Sequence, residues 1–325
     1  MAPVFNPEVR SEKPAVSPPR AESLPYFPTA AALTATFASL SLLIYGNEAL
    51  GQILHYSFRF YSPAVFVFQT PHLSLKYYGL FLLTGILANL IAGLKASRIW
   101  QLSAEAVLTL FTLAIAGGSL GARLYYAAIC WPYYSQHMEQ ILNASQGGLS
   151  IHGCLIGVSL SLFLYTLWKK ESPVKYLDFA AILLPLGQAI WRLGNLFNNE
   201  AYGGPVTHRA LLQQVVPTGF RPWQYAKVDT FQPAFLYEAI WDMALFACLY
   251  FGLARALCRK PGLLACLYLA GYSLGRILIE SIRTDSITYS GISIPMTVSI
   301  TCLLAGSAGA LLISRKKTQA QKLKT

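Results

Sequence analysis

Four apolar stretches of the chain carry polar side chains at helical spacing. Gln188, Arg192, Asn195 and Asn199 are four, three and four residues apart, so they share one face of a helix, and Glu200 follows directly. Tyr272, Arg276, Glu280 and Arg283 repeat at four, four and three. Tyr237 and Glu238 open another stretch, with Asp242 one turn further on. His152 stands near the start of the fourth. Arg123 lies mid-stretch, after Gly117, Gly118 and Gly121. An arginine or aspartate at the centre of a spanning helix costs about 2.5–3.5 kcal/mol on insertion scales, so such residues face a wet cavity, a partner or a substrate. An arginine fork matches phosphate oxygens two at a time and keeps its charge when buried. The simplest chemistry for three arginines, several carboxylates, a histidine and carboxamides is a site for an anionic, phosphate-bearing lipid headgroup.

Blander readings stand beside this one. Arg276 and Glu280 have the spacing of a structural ion pair. His152 fits a satisfied helix start, and Asp242 fits a packing partner. Asp178 reads as a helix N-cap. The pairs Gly117–Gly118 and Gly147–Gly148 suit helix packing or close approach of a ligand equally well. The argument for a site is that four helices each bring a polar stripe to one side.

The elements that must position these residues are membrane helices. Of 325 residues, 54% are hydrophobic and 12% charged, about half the charge of ordinary globular domains. Eight stretches approach the roughly 20 residues that span a bilayer: 29–46, 75–95, 105–128, 150–168, 178–197, 236–256, 263–281 and 293–313. The first is short and rich in Ser, Thr and Ala. Residues 47–74, with aromatics from Phe58 to Phe68, read as interfacial. Sixteen Lys and Arg fall on the side that holds both termini, Lys95, Arg98, Lys169, Lys170, Lys175, Arg255, Arg259 and Lys260. Five fall on the other side, Arg59, Arg209, Arg221, Lys227 and Arg283. Cytoplasmic loops retain such residues, so both termini are expected inside and 198–235 outside.

The net charge of +11 sits in these loop clusters, so topology rather than nucleic acid accounts for it. The six cysteines form no CxxC pair, and no His/Cys/Asp set has metal-ligand spacing. No metal or cofactor is expected. Residues 1–28, with seven prolines and both charge signs, read as a disordered cytoplasmic tail, without the cleavage site of a signal peptide. The expected divisions are this tail, an extra N-terminal helix with its connection (29–60), a membrane domain (61–313) with an outer head (198–235), and a basic cytoplasmic tail (314–325). The first 60 residues carry no strong polar stripe and are expected to be dispensable for chemistry.

Five segments resemble motifs of the bacterial prolipoprotein diacylglyceryl transferase family. Trp191-Arg-Leu-Gly-Asn-Leu-Phe-Asn-Asn-Glu-Ala-Tyr-Gly203 is similar to its GRLGNFxNxExxG segment. Gln146 to Gly157 is similar to GGxSFHGGLIG, and Gly271 to Asp285 to GYGxxRxxxExxRxPD. Gln232 to Glu238 is similar to HPSQLYE, and Lys76-Tyr-Tyr-Gly79 to HxYG. Departures fall at Lys76, Ser119, Cys154, Gly204, Gln232, Ala234 and Phe235.

The resemblance implies an all-α integral membrane protein: seven family-like transmembrane helices, here with an extra N-terminal one, and a small periplasmic head in the bacterial cytoplasmic membrane. It implies transfer of the diacylglyceryl group of phosphatidylglycerol to the lipobox cysteine thiol of a prolipoprotein, releasing glycerol phosphate. The catalytic set carried over is His152, Arg192, Glu200, Arg276 and Glu280. The substrate-binding set is Tyr78, Arg123, Gly147, Asn195, Gly203, Tyr237, Tyr272 and Arg283. A thiol of pKa about 8.5 needs a base or cation to ionise. His152 suits this near neutrality, with Glu200 the second candidate. Arg192 and Arg276 would hold the donor phosphate and stabilise the leaving anion. Two other readings remain open: a relative that binds or moves anionic lipids without thiol transfer, and a transferase with another acceptor.

Overall fold

A computed structural model describes residues 26–70, 74–142, 147–284, 286 and 288–322. Most of the expected N-terminal tail, and Gln146 and Asp285 of the motifs, lie outside the described residues. Eleven helices follow in order among those residues: α1 (Tyr26–Leu54), α2 (Tyr77–Ala96), α3 (Ala104–Ile129), α4 (Trp131–Tyr134), α5 (Ile151–Lys169), α6 (Pro173–Ala181), α7 (Leu184–Asn198), α8 (Ala234–Ala247), α9 (Ala254–Leu257), α10 (Leu263–Glu280) and α11 (Ile294–Lys322). A π-helical turn, Cys248–Leu253, joins α8 to α9. The protein is an all-α integral membrane protein: seven of its helices are long and apolar enough to cross a bilayer.

The eighth candidate, 178–197, is not one helix. Pro185 lacks the N–H that would bond the Ala181 carbonyl, so the backbone breaks there and restarts as α7. Asp178 does not cap its own helix, whose N-cap is Ser172. Its buried carboxylate instead accepts from the Gly262 and Ala265 amides at 2.7 and 2.8 Å, capping α10 across the chain. Helix α3 has a local cap, with Ser103 Oγ accepting from the Ala106 amide at 3.1 Å.

Small residues bring α3 against α5. A Cβ on Gly121 would lie 2.3 Å from the Gly153 carbonyl oxygen, and one on Gly157 2.0 Å from that of Gly117. Gly117 and its neighbours therefore serve helix packing, the small-residue crossing common in membranes. The apolar core runs through α2, α3, α6, the π turn and α10, around Trp100, Phe179, Ile182, Leu249 and Leu264. All six cysteines are free and half-buried.

Short strands gather between the helices: β1 (Phe58–Tyr61), β2 (Phe66–Gln69), β3 (Ser74–Lys76), β4 (Leu212–Val215), β5 (Thr230–Phe231), β6 (Thr288–Tyr289) and β7 (Ile292–Ser293). β1 pairs in parallel with β4, Phe58 opposite Leu212, and β4 pairs antiparallel with β5. The aromatic segment expected to be interfacial thus supplies an edge strand to the 198–235 connection. β6 and β7 turn at Ser290 and Gly291, both with positive φ, as a two-residue hairpin requires.

The N-terminal segment is more integrated than its sequence indicates. α1 extends to Leu54 rather than to residue 46. It buries Leu40, Ile44 and Asn47.

Candidate functional site

The polar stripes converge on Glu238, which lies in the first turns of α8 and is 3% exposed. α7 brings Arg192, whose Nε stands 3.0 Å from Glu238 Oε2. α10 brings Arg276, whose Nη1 pairs with Glu238 Oε1 while its Nη2 pairs with Glu280 Oε2 at 2.5 Å. Just past α10, Arg283 Nη1 lies 3.8 Å from Glu238 Oε2. Ser293, at the start of α11, donates its Oγ–H to Glu280 Oε1 at 2.9 Å. Tyr272, one turn before Arg276, lies beside Arg192. Three arginines therefore gather on two glutamates in a low-dielectric setting, where guanidinium groups suit an anion. Asp242, one turn below Glu238, is also buried; its Oδ2 has no hydrogen-bond partner among the described residues.

A second group adjoins the first. Asn195 and Asn198 both donate from Nδ2 to Glu200 Oε1, at 2.8 and 3.0 Å. Glu200 is exposed, so two amides aim a carboxylate that solvent and ligands reach. α7 ends on Asn199 in the left-handed conformation, and Ala201 is left-handed too. A non-glycine residue held there costs of order 1 kcal/mol or more and marks a segment fixed by its surroundings. The ring of Tyr78 packs against Gly194, where a Cβ would meet it at 3.1 Å, placing Tyr78 beside the α7 stripe. Gly203 ties the parts together. Its amide donates to the Gln232 carbonyl at 2.8 Å, and it bridges to Arg283.

Four expected site residues lie elsewhere. Tyr237 is fully buried, with Leu40, Ile44, Trp241 and Ile279 around it. Adjacent helical residues point about 100° apart, so when Glu238 turns to the arginines Tyr237 turns to α1. Arg123 is buried inside its own loop. Nε donates to the Ile141 carbonyl at 2.6 Å, Nη1 to those of Gly147 and Gly148, both at 3.0 Å, and Nη2 to the Gln140 carbonyl and the Tyr134 hydroxyl at 2.8 and 3.1 Å. All five donors are used, and Gly147 serves as a cage wall. The adjoining cavity, about 290 Å³, is lined by Tyr126, Cys130 and Tyr133 among others. His152, exposed at the start of α5, has its ring 6.2 Å from that of Tyr125. No hydrogen bond or ion pair joins it to the Glu238 group among the described residues.

Glu238 and Ser293 were absent from the expected site. The signal for Glu238 was present: it closes the Gln232–Glu238 motif, and three arginines on two other helices require a carboxylate across from them.

Comparison with known proteins shows the family. The family model described as prolipoprotein diacylglyceryl transferase matches residues 65–312, so the matched region begins after α1 and β1. A phosphatidylglycerol–prolipoprotein diacylglyceryl transferase of Trichormus variabilis is 36% identical over 266 residues, covering 80% of this chain and 94% of the relative. The protein of that name from Synechocystis is 37% identical over 259 residues, covering 77% and 89%. One from Clostridium botulinum is 34% identical over 233 residues, covering 72% and 92%. The five motifs, the gathered arginines and these matches place the chain in the prolipoprotein diacylglyceryl transferase family.

Proposed function

We propose that this chain transfers the diacylglyceryl group of phosphatidylglycerol to the lipobox cysteine thiol of a prolipoprotein, in the cytoplasmic membrane of a bacterium. The observation that carries the reading is the convergence of Arg192, Arg276 and Arg283 on Glu238. The guanidinium forks match the oxygens of a phosphodiester. In the reaction the cysteine sulfur attacks the glycerol carbon that bears the phosphoester oxygen. The C–S bond forms as the C–O bond breaks, and the electron pair leaves on glycerol phosphate. Arg192 and Arg276 hold that phosphate and stabilise its added charge. Glu280 and Ser293 orient Arg276. Glu200, aimed by Asn195 and Asn198, accepts the thiol proton beside Tyr78. His152, on the α3–α5 side, is the second base. Tyr272 positions Arg192, and Gly203 holds Arg283 in place. In this reading 61–313 is the transferase domain and 198–235 its periplasmic head.

The test uses the full chain in phosphatidylglycerol vesicles with a lipobox peptide. A diacylglyceryl thioether on the peptide and one glycerol phosphate released per turnover are expected. Binding of phosphatidylglycerol with no product would replace the transferase reading with lipid binding or movement.

A further inference from the structure

α1 precedes the family-matched region, yet it reaches the residues that hold the site. Leu40 and Ile44 join Ala234, Tyr237, Trp241, Leu278 and Ile279 in one apolar cluster, on the side of α8 away from Glu238. Phe37 meets Trp241 edge-on, with ring centroids 5.7 Å apart. The Tyr45 hydroxyl bonds Ser281 Oγ at 2.9 Å, one residue past Glu280. The last turns of α1 then grip the 206–215 segment. Asn47 is 1% exposed. Its Nδ2 donates to the Leu212 carbonyl, its Oδ1 accepts from the Leu212 amide, both at 2.8 Å, and its own carbonyl accepts from the Leu211 amide at 3.0 Å. Glu48 Oε1 accepts from the Thr207 amide at 2.9 Å. A Cβ on Gly51 would stand 1.9 Å from the Arg209 carbonyl oxygen, so only glycine allows the approach. β1 follows and pairs with β4.

From β4 the connection to the site is continuous. β4 pairs with β5, Gln214 opposite Phe231. The next residue, Gln232, exchanges backbone hydrogen bonds with Gly203 and Gly204 at 2.8 and 2.9 Å. Gly203 bridges to Arg283, and α8 begins two residues after Gln232, carrying Glu238 in. We propose that α1 and β1 form a strap and that Asn47 is a positioning residue. By fixing β4 it fixes where Gly203, Arg283 and Glu238 stand relative to one another. The physical reason is the cost of a vacancy. Without the Asn47 amide, the N–H and C=O of half-buried Leu212 lose their partners and the strand moves to recover them. The effect on turnover rests on the transferase reading above; the effect on structure does not.

Two readouts keep these apart. The full chain and its Asn47→Leu and Gly51→Ala variants are placed in phosphatidylglycerol vesicles, with Leu42→Ala, on an exposed face of α1, as control. Amide deuterium exchange is followed alongside steady-state transfer to a lipobox peptide, with rates expressed per folded molecule. Gly51→Ala keeps every hydrogen-bonding group and only displaces the helix, so it serves if Asn47→Leu fails to fold. The strap predicts faster exchange at Gly203, Val206, Leu212 and Val216, with α3 and α5 unchanged. It also predicts a kcat about tenfold lower with KM for phosphatidylglycerol within about twofold. Exchange altered only at Leu211 and Leu212, or an unchanged kcat per folded molecule, would overturn it. A wild-type chain without transfer would refute the transferase reading and leave the strap to be judged by exchange alone.

Discussion

Glu238 is where the site's charge balance is decided. Removing one partner of a buried ion network leaves charge without compensation, at about 3–5 kcal/mol. Glu238→Gln keeps the side chain's volume but leaves three arginines facing Glu280, so it should lower thermal stability markedly and abolish transfer. Adding Arg192→Gln should restore part of the stability and none of the activity, because the two substitutions act on one network. Thermal unfolding of the purified single and double variants checks this, and strictly additive losses would contradict a shared network. The arginine stripes were readable in the sequence because their spacing follows the helical period. The signal for their partner was there too, but Tyr237 and Glu238 are neighbours, and which one faces the arginines depends on where α1 packs. The surroundings of Arg123 were not legible either: a mid-helix arginine in lipid needs partners, and here Tyr134, Gln140, Ile141, Gly147 and Gly148 supply them.

Among the elements, the apolar stretches were legible because about 20 apolar residues in a row have few other fates. Their interruptions were less so. Pro185 marks the α6–α7 break in the sequence, but the break exploits a distant contact, since Asp178 on α6 caps α10. Asp178→Ala should therefore destabilise α10, which carries Arg276 and Glu280, by about 1–2 kcal/mol. Hydrogen exchange should show the loss at the Gly262 and Ala265 amides. Loss confined to α6 would show that Asp178 serves its own helix. The contacts of α1 were not legible, because they are made by apolar residues and by Tyr45, Asn47 and Glu48 close together near its end, which form no stripe along the helix.

For the whole molecule, the alternation of basic loops predicts opposite faces for Lys227 and Lys95. A cysteine at position 227 should react with an impermeant thiol reagent from the outer side, and one at 95 only after permeabilisation. Reaction of both from one side would refute the orientation. The same prediction puts the arginine group toward the outer end of the bundle. The account stands most directly on the joint action of Arg192 and Arg276 on one phosphate. The deciding measurement is the rate of diacylglyceryl transfer from phosphatidylglycerol vesicles by Arg192→Lys, Arg276→Lys and the double variant, with folding checked separately. Lysine keeps the charge and loses the fork, so each single change should lower kcat/KM by about 100-fold or more, and the double change only slightly further. Full transfer rates with unchanged phosphatidylglycerol affinity in both single variants would contradict the shared-phosphate site.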